Sequence, residues 1–270
     1  MTEIPRAEQE ALVFVANKAA DAARKITLPY FRGQQLATEN KAGEGFDPVT
    51  RADREAEKAI CEILKDLRPQ DAIHGEEYGF HPGTSGLTWV LDPIDGTRGY
   101  MSGTPTWGTL ISLRDETGPV MGLIDQPYIG ERFFGGFGIS ELRRGAVITP
   151  LAVRPAASLA DAILYTTHPG VGTKAEGDAF AVLSQNVRLT RFGMDCYAYA
   201  LLAAGTVDLV VEAGLFPYDI QAPIAVIEAA GGIVTDWKGD PAHEGGRVLA
   251  AASAELHAGA MKILDASVNG

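Results

Sequence analysis

At 270 residues the chain is long enough for one large compact domain or two modest lobes with a substantial core. Hydrophobic residues make up 46% of it and charged residues 21%, with no low-complexity run, which excludes a disordered chain. A formal net charge of -12 opposes nonspecific attraction to nucleic acid or anionic membranes, which requires a basic face, and favours a small substrate instead.

The longest apolar stretches, 197–204 and 207–211, fall far short of the roughly 20 residues of a membrane span, so no membrane association is expected. Residues 1–10 are polar and acidic without an apolar core behind a basic start, which predicts no secretory signal and a cytoplasmic location. Cys61 and Cys196 form neither a disulfide framework nor a CxxC pair and read as reduced core residues.

In chain order, Ala11, Leu12, Val15, Ala19, Ala22, Ala23 and Ile26 recur at helical spacing and predict a long helix from about Arg6 to Phe31. A charged, Gly-containing loop over 33–45 follows. Thr50 begins a second amphipathic helix, with Ala56, Ala59, Ile60, Ile63, Leu64 and Leu67 on its apolar side, that stops before Pro69 and packs on the first. Between Asp71 and Gly138 the pattern turns to short β-like runs at 72–74, 87–91, 106–113, 120–126 and 131–137, punctuated by Gly and Pro. From about Thr149, strands near 163–166, 187–191, 207–211 and 232–236 alternate with helices near 175–184, 196–204, 220–230 and 254–265, an α/β pattern. The expected organisation is an α+β lobe over 1–150, carrying most candidate ligands, and an α/β lobe over 151–270, with carboxylates from both meeting at the junction.

The most informative segment is Trp89-Val90-Leu91-Asp92-Pro93-Ile94-Asp95-Gly96-Thr97, where an apolar strand runs into two carboxylates, a Gly and a Thr. A turn after the strand can aim Asp92 and Asp95 at one point, and such hard oxygen ligands suit magnesium. Gly96 and Thr97 would then open a short helix whose free N–H groups face a phosphate. The same string also reads as a surface turn, because Asp-Pro and Asp-Gly are common turn dipeptides. Glu76 and Glu77 follow a second apolar run through Gly75, either as a site or as solvated loop charges. Asp219 precedes the helix that runs to Ala230 and reads as an N-cap or as a ligand. Thr50 and Asp53 stand at N-cap and N3 of the second helix, which a capping box explains. Alternatively, an Asp53 carboxylate bonded to Thr97 would orient and help deprotonate an attacking water.

Together these motifs resemble the inositol monophosphatase family of metal-dependent, lithium-sensitive phosphatases. The matching stretches are Asp47-Pro48-Val49-Thr50-Arg51-Ala52-Asp53, Gly75-Glu76-Glu77, the DPxDGT core at 92–97, and Tyr218-Asp219 followed by a helix into Ala229-Ala230-Gly231-Gly232. They span nearly the whole chain in family order. The resemblance implies that Glu76, Asp92, the Ile94 carbonyl, Asp95 and Asp219 hold two or three Mg2+ ions per site, with Mn2+ as the alternative. It implies that Asp53, Thr97 and Glu76 serve the attacking water, and that the Gly96 and Thr97 amides hold the phosphate. It further implies in-line attack by metal-activated water without a phosphoenzyme, and a homodimer. The implied fold is a layered α-β-α-β-α sandwich, mixing α+β and α/β character, of the inositol monophosphatase and fructose-1,6-bisphosphatase type.

Within the family, the runs 97–109 and 193–199 look more like the histidinol-phosphate phosphatase branch. Inositol-directed members usually carry an Asn-Phe pair where Arg98 to Tyr100 stand, and small neutral residues where Asp195 stands. Glu212 matches a family position that contacts the substrate's alcohol part. Asp195 adds a second carboxylate, and Arg98 joins them as a substrate contact. Two acidic groups around the leaving alcohol favour a cationic substrate such as histidinol phosphate, which carries an ammonium and an imidazole. Asp195 also reads as a cap for the helix from Cys196. The rivals are inositol-1-monophosphatase or a broad sugar-phosphate phosphatase, a member directed at 3'-phosphoadenosine 5'-phosphate, for which basic residues near the motifs are too few, and a non-catalytic binding protein of the same fold.

Glu77 and Lys41, the latter in the loop before Asp47, are secondary candidates. Phe216 lies where related histidinol-phosphate enzymes more often carry a polar or basic residue, and either shapes the pocket or packs in a loop. The five histidines, His74, His81, His168, His243 and His257, lack metal-ligand spacing and are expected in loops or on the surface. Gly135, Gly136 and Gly138 read as a turn between strands rather than as a dinucleotide fingerprint.

Overall fold

The computed structural model describes residues 4–33, 38–40, 48–155 and 158–269. Lys41 and Asp47 lie outside the described residues. Helix α1 (Arg6–Tyr30) buries Leu12, Val15, Ala16, Ala19, Ala20 and Ala23 along one stripe. Helix α2 (Arg51–Leu67) faces it with Ala56, Ile60, Cys61 and Leu64. Alanine on both stripes lets the two helices approach closely. A small antiparallel ribbon of β1 (Thr38–Asn40) and β2 (Pro48–Thr50) leads into α2.

The first large sheet contains β3 (Ala72–Gly75), β4 (Gly79–His81), β5 (Thr88–Asp95), β6 (Gly108–Arg114), β7 (Pro119–Gln126), β8 (Glu131–Gly136), β9 (Ile139–Arg144) and β10 (Val147–Pro150). Its order is β10-β9-β8-β7-β6-β5-β3-β4, antiparallel except for the β3–β5 pair, and the short α3 (Thr97–Ser102) follows β5. The second sheet contains β11 (Ile163–Thr166), β12 (Leu189–Phe192), β13 (Leu209–Leu215), β14 (Ile233–Thr235) and β15 (Gly246–Ala251), in the order β12-β11-β13-β15-β14. Around it run α4 (Lys174–Ser184), α5 (Asp195–Ala203), α6 (Pro217–Ala229) and α7 (Ala254–Asn269).

Contacts between elements give the layers. α1 and α2 cover the first sheet, α5 and α6 lie between the sheets, and α4 and α7 cover the second, an α-β-α-β-α stack. Residues Ile220–Ile227 of α6 are buried without interruption, as a helix with a sheet on each side requires. Glycines let it approach: a Cβ at Gly122 would fall 2.3 Å from the Ala222 carbonyl oxygen, and one at Gly135 would fall 2.4 Å from that of Ala225. One hydrophobic cluster joins Leu110, Ile124 and Phe133 of the first sheet to α5, α6, β13 and β15, so the main core lies at the junction of the two sheets.

Several expectations are corrected here. Gly135 and Gly136 belong to β8, and the turn is carried by Phe137 and Gly138, both at positive φ. β1, β2, β4, β9, β10 and β15 were not expected. β1 falls in the loop expected over 33–45, and β1, β2 and β4 are only three residues each. β9 and β10 are largely exposed and lack a hydrophobic period, and β15 is a mostly buried strand that the α/β reading passed over. The second sheet is mixed: β12, β11 and β13 run parallel, whereas β15 pairs antiparallel with both β13 and β14. Cys61 and Cys196 are free and buried, as read from the sequence. No described helix is long and apolar enough to cross a membrane.

Candidate active site

The two aspartates after the apolar run at 89–91 lie within β5, which continues to Asp95 rather than ending in a turn. Residues three apart on a regular strand face opposite sides of the sheet. Here the register against β6 slips between Asp92, which pairs with Leu110, and Asp95, which pairs with Gly108. That bulge breaks the alternation and brings both carboxylates to one side. Within it, Asp92 Oδ1 accepts from the Ile94 N–H at 2.9 Å.

From the other sheet's side, Asp219 sits at N3 of α6, and its carboxylate accepts from the Phe216 N–H at 2.7 Å. It is therefore not the N-cap; Phe216 is. One oxygen from each of Asp92, Asp95 and Asp219 lies within 4.8 Å of the others. Glu76 lies one residue past β3, whose parallel pairing with β5 sets Gly75 beside Leu91, and its carboxyl hydrogen-bonds that of Asp92. Asp95 is tied to α5 as well, accepting from the Cys196 N–H at 2.6 Å.

Burial, reinforced by the charges of Glu76, Asp95 and Asp219, holds the Asp92 carboxyl well above the usual carboxylate range. Burial together with Asp195 and Asp219 does the same for Asp95. Such a group must retain protons or hold a cation, because unpaired buried carboxylates are strongly disfavoured. Every donor is a hard oxygen, so the residues fit Mg2+ and not a metal that prefers sulfur or imidazole.

Beside this cluster stands the Asp53–Thr97 pair. Thr97 Oγ1 lies 3.4 Å from Asp53 Oδ1 and 3.1 Å from the Ile94 carbonyl oxygen. Asp53 also completes a capping box at the start of α2, accepting from the Thr50 N–H at 2.9 Å and from the Thr50 hydroxyl. Both readings of Asp53 are thus geometrically available at once. Burial pushes its carboxyl up to about 7, against the Thr50 hydrogen bonds.

Gly96 adopts φ 83 at the N-cap of α3, a conformation that favours glycine. A Cβ there would also fall 2.8 Å from Asp195 Cγ. Asp195 is the first residue of α5, at φ 46, and accepts from Thr106 Oγ1 at 3.3 Å. It does not cap the helix; Met194 occupies the N-cap position. Burial raises its pKa, opposed by the Thr106 hydroxyl and the charge of Arg98. Glu212 of β13 accepts from the Thr167 N–H at 2.5 Å, and burial pushes it up to about 7.

A cavity of about 400 Å³ is lined by Glu76, Asp92, Ile94, Asp95, Gly96, Thr97, Arg98, Asp195, Glu212 and Asp219, a volume typical of small-molecule sites. Asp53 stands behind Thr97 and is buried. Glu77 does not line the cavity: its buried carboxylate lies 3.8 Å from Arg54. His168, exposed in the loop after β11 as expected, also lines it, whereas His74 lies in β3 and packs against the rings of Phe80 and Tyr218, so it is not a loop or surface histidine. Phe216 stands at the cavity with 58% of its surface exposed, stacked on Tyr218 at 5.3 Å.

Sequence reasoning missed two residues. Glu57 is fully buried and accepts from the N–H groups of Glu77 and Tyr78 at 2.8 and 3.0 Å, bracing the turn that carries Glu76 from behind. Its position four residues after Asp53 on an otherwise apolar face was the available signal. Tyr199 lines the cavity four residues after Asp195, on the same face of α5.

Comparison with known proteins shows the family and the fold. The inositol monophosphatase family model matches residues 8–269. The chain is 40% identical over 240 residues to the chloroplastic bifunctional phosphatase IMPL2 of Arabidopsis thaliana, covering 88% of this chain and 68% of that protein. It is 36% identical over 256 residues to a histidinol-phosphatase of Streptomyces coelicolor, covering 90% and 92%. A solved inositol monophosphatase from Zymomonas mobilis superposes with a TM-score of 0.84 at 37% identity, covering 97% of this chain and 99% of that one. With the family model spanning nearly its whole length, and with relatives and fold in accord, the chain belongs to the inositol monophosphatase family.

Proposed function

We propose that this phosphatase hydrolyses L-histidinol phosphate to L-histidinol and phosphate, with Mg2+ held by Glu76, Asp92, the Ile94 carbonyl, Asp95 and Asp219. The observation that carries the reading is the meeting, in one cavity, of a three-aspartate cluster with two further carboxylates, Asp195 and Glu212, at the side where the leaving alcohol would lie. When bound, Mg2+ supplies positive charge that neutralises the phosphate and stabilises the leaving oxygen.

The chain's own groups do the rest. The Gly96 and Thr97 amides orient the phosphate. Thr97 Oγ1, bonded to Asp53, positions the attacking water, and the Asp53 carboxylate, raised to about 7 by burial, accepts its proton. Asp195 and Glu212 hold the cationic part of the alcohol through charge-assisted hydrogen bonds, with Arg98 setting the charge balance beside Asp195. The enzyme acts as a cytoplasmic homodimer in histidine biosynthesis.

The similarity to the Zymomonas mobilis inositol monophosphatase favours a second reading, hydrolysis of myo-inositol 1-phosphate or a broader range of sugar phosphates. Phosphate release with Mg2+ across histidinol phosphate, myo-inositol 1-phosphate and fructose 1,6-bisphosphate, expressed as kcat/KM, separates the two. A histidinol-phosphate preference of orders of magnitude is expected; a preference for the inositol ester overturns the substrate assignment and leaves the phosphatase site intact.

A further inference from the structure

Phe216 places an exposed apolar ring on the wall of a cavity rich in carboxylates. Residues 212–216 line that cavity without interruption, starting at Glu212, and Tyr218 and Asp219 continue the same wall. A single exposed phenylalanine is unremarkable by itself, but this one is firmly held. Its N–H donates to the Asp219 carboxylate at 2.7 Å. Gly245, at φ 84, lets another loop press against the same backbone: a Cβ there would fall 2.3 Å from the Leu215 carbonyl oxygen and 2.9 Å from the Phe216 carbonyl carbon.

The ring is held as well. It stacks on Tyr218, with centroids 5.3 Å apart and planes 22° from parallel, and Tyr218 in turn meets His74 in a T-shaped contact at 6.2 Å. One face of Phe216 is therefore covered, yet 58% of the residue is exposed, which leaves the opposite face open. The π-face of phenylalanine carries partial negative charge and attracts a cation, more strongly once water is excluded from the contact. Glu212 and Asp195, on the same cavity, favour the same sign of charge.

We infer that Phe216 is a specificity-determining residue whose open ring face receives the cationic group on the alcohol portion of the phosphomonoester. This rests on the functional reading above, and it adds a second selector to the two carboxylates. Asp195 and Glu212 hold the cation through hydrogen bonds, while the ring covers a face that hydrogen bonds leave bare. An imidazolium, planar and apolar in its body, uses both. A neutral alcohol forfeits the ring contact and is discriminated against on that account.

The test is Phe216→Leu, which keeps an apolar side chain but removes the π-face, beside Phe216→Tyr as the conservative variant, in the full chain with Mg2+. The readout is kcat/KM for L-histidinol phosphate relative to that for glycerol 2-phosphate, an ester of a neutral, ringless alcohol. In Phe216→Leu the ratio is expected to fall about tenfold, chiefly through KM on histidinol phosphate, whereas Phe216→Tyr should keep it within about twofold. The Mg2+ concentration for half-maximal rate should not move, because the N–H that holds Asp219 belongs to the backbone. An unchanged ratio, an equal loss on both esters, a raised Mg2+ requirement, or a Tyr variant as impaired as the Leu variant overturns the inference. If the wild-type enzyme does not cleave histidinol phosphate, the substrate assignment has failed. Inhibition of glycerol 2-phosphate hydrolysis by L-histidinol then decides the role of Phe216: an inhibition constant raised about tenfold in Phe216→Leu supports it, and absent or unchanged inhibition overturns it.

Discussion

Replacing Gly75 by alanine tests how Glu76 is held. A Cβ at Gly75 would fall 1.9 Å from Glu57 Oε1 and 2.4 Å from its Cδ, so the carboxylate must move. It has nowhere to go without loss, because Glu57 is fully buried and anchored by the Glu77 and Tyr78 N–H groups. Overpacking costs about 1–3 kcal/mol and a lost hydrogen bond to a charged group about 1.5–3, so Gly75→Ala should destabilise the fold by about 3–5 kcal/mol. That is a large share of the roughly 5–15 kcal/mol that a domain has. Urea unfolding followed by the fluorescence of the fully buried Trp89 and Trp107 measures it. In Glu57→Ala the space is vacated, so adding Gly75→Ala to that variant should change stability little, giving a coupling energy of about 2 kcal/mol or more. Because Glu76 follows Gly75 directly, the Mg2+ concentration for half-maximal rate should also rise, by about tenfold, as for other supports of metal ligands. A Gly75→Ala protein within about 1 kcal/mol of wild type, or strict additivity in the double variant, refutes the reasoning.

Two further outcomes are expected. Asp95→Asn should lower kcat by about a hundredfold or more at saturating Mg2+, since ligands matter at least as much as their supports; a steady-state rate within a few-fold of wild type removes Asp95 from the metal site. Without metal, stability should fall as pH rises. Burial holds Asp92 and Asp95 well above the carboxylate range and Asp53 at about 7, so the folded state binds more protons than the unfolded one. The loss runs from about pH 4, the unfolded carboxylate value, through about pH 7. Mg2+ binds the ionised form, so its effect on Tm should grow over the same window; a chelated protein whose Tm stays level or rises between about pH 5 and about pH 8 contradicts this.

The sequence by itself determined a good deal. The helical period of α1, α2, α4, α6 and α7 placed those elements to within a few residues, because amphipathic or buried helices leave a long, regular record. The order of the acidic motifs brought forward Glu76, Asp92, Asp95 and Asp219, since carboxylates at the ends of apolar runs are conspicuous against a hydrophobic background. Short, exposed strands such as β9 and β10 leave no comparable record.

What only the tertiary structure decided were the relations between distant segments. The β5 bulge, and not a turn, points Asp92 and Asp95 to one side, and this depends on the pairing with β6. Asp219 completes the cluster because α6 runs between the two sheets, a placement set by the glycines at 122 and 135. Glu77, adjacent in sequence to Glu76, turns to Arg54, while Glu57 and Tyr199 take up posts that no motif announced. The physical reason is common to all of them. Local propensity and period are written in neighbouring residues, whereas the burial that fixes a carboxylate's charge exists only once distant elements have packed together.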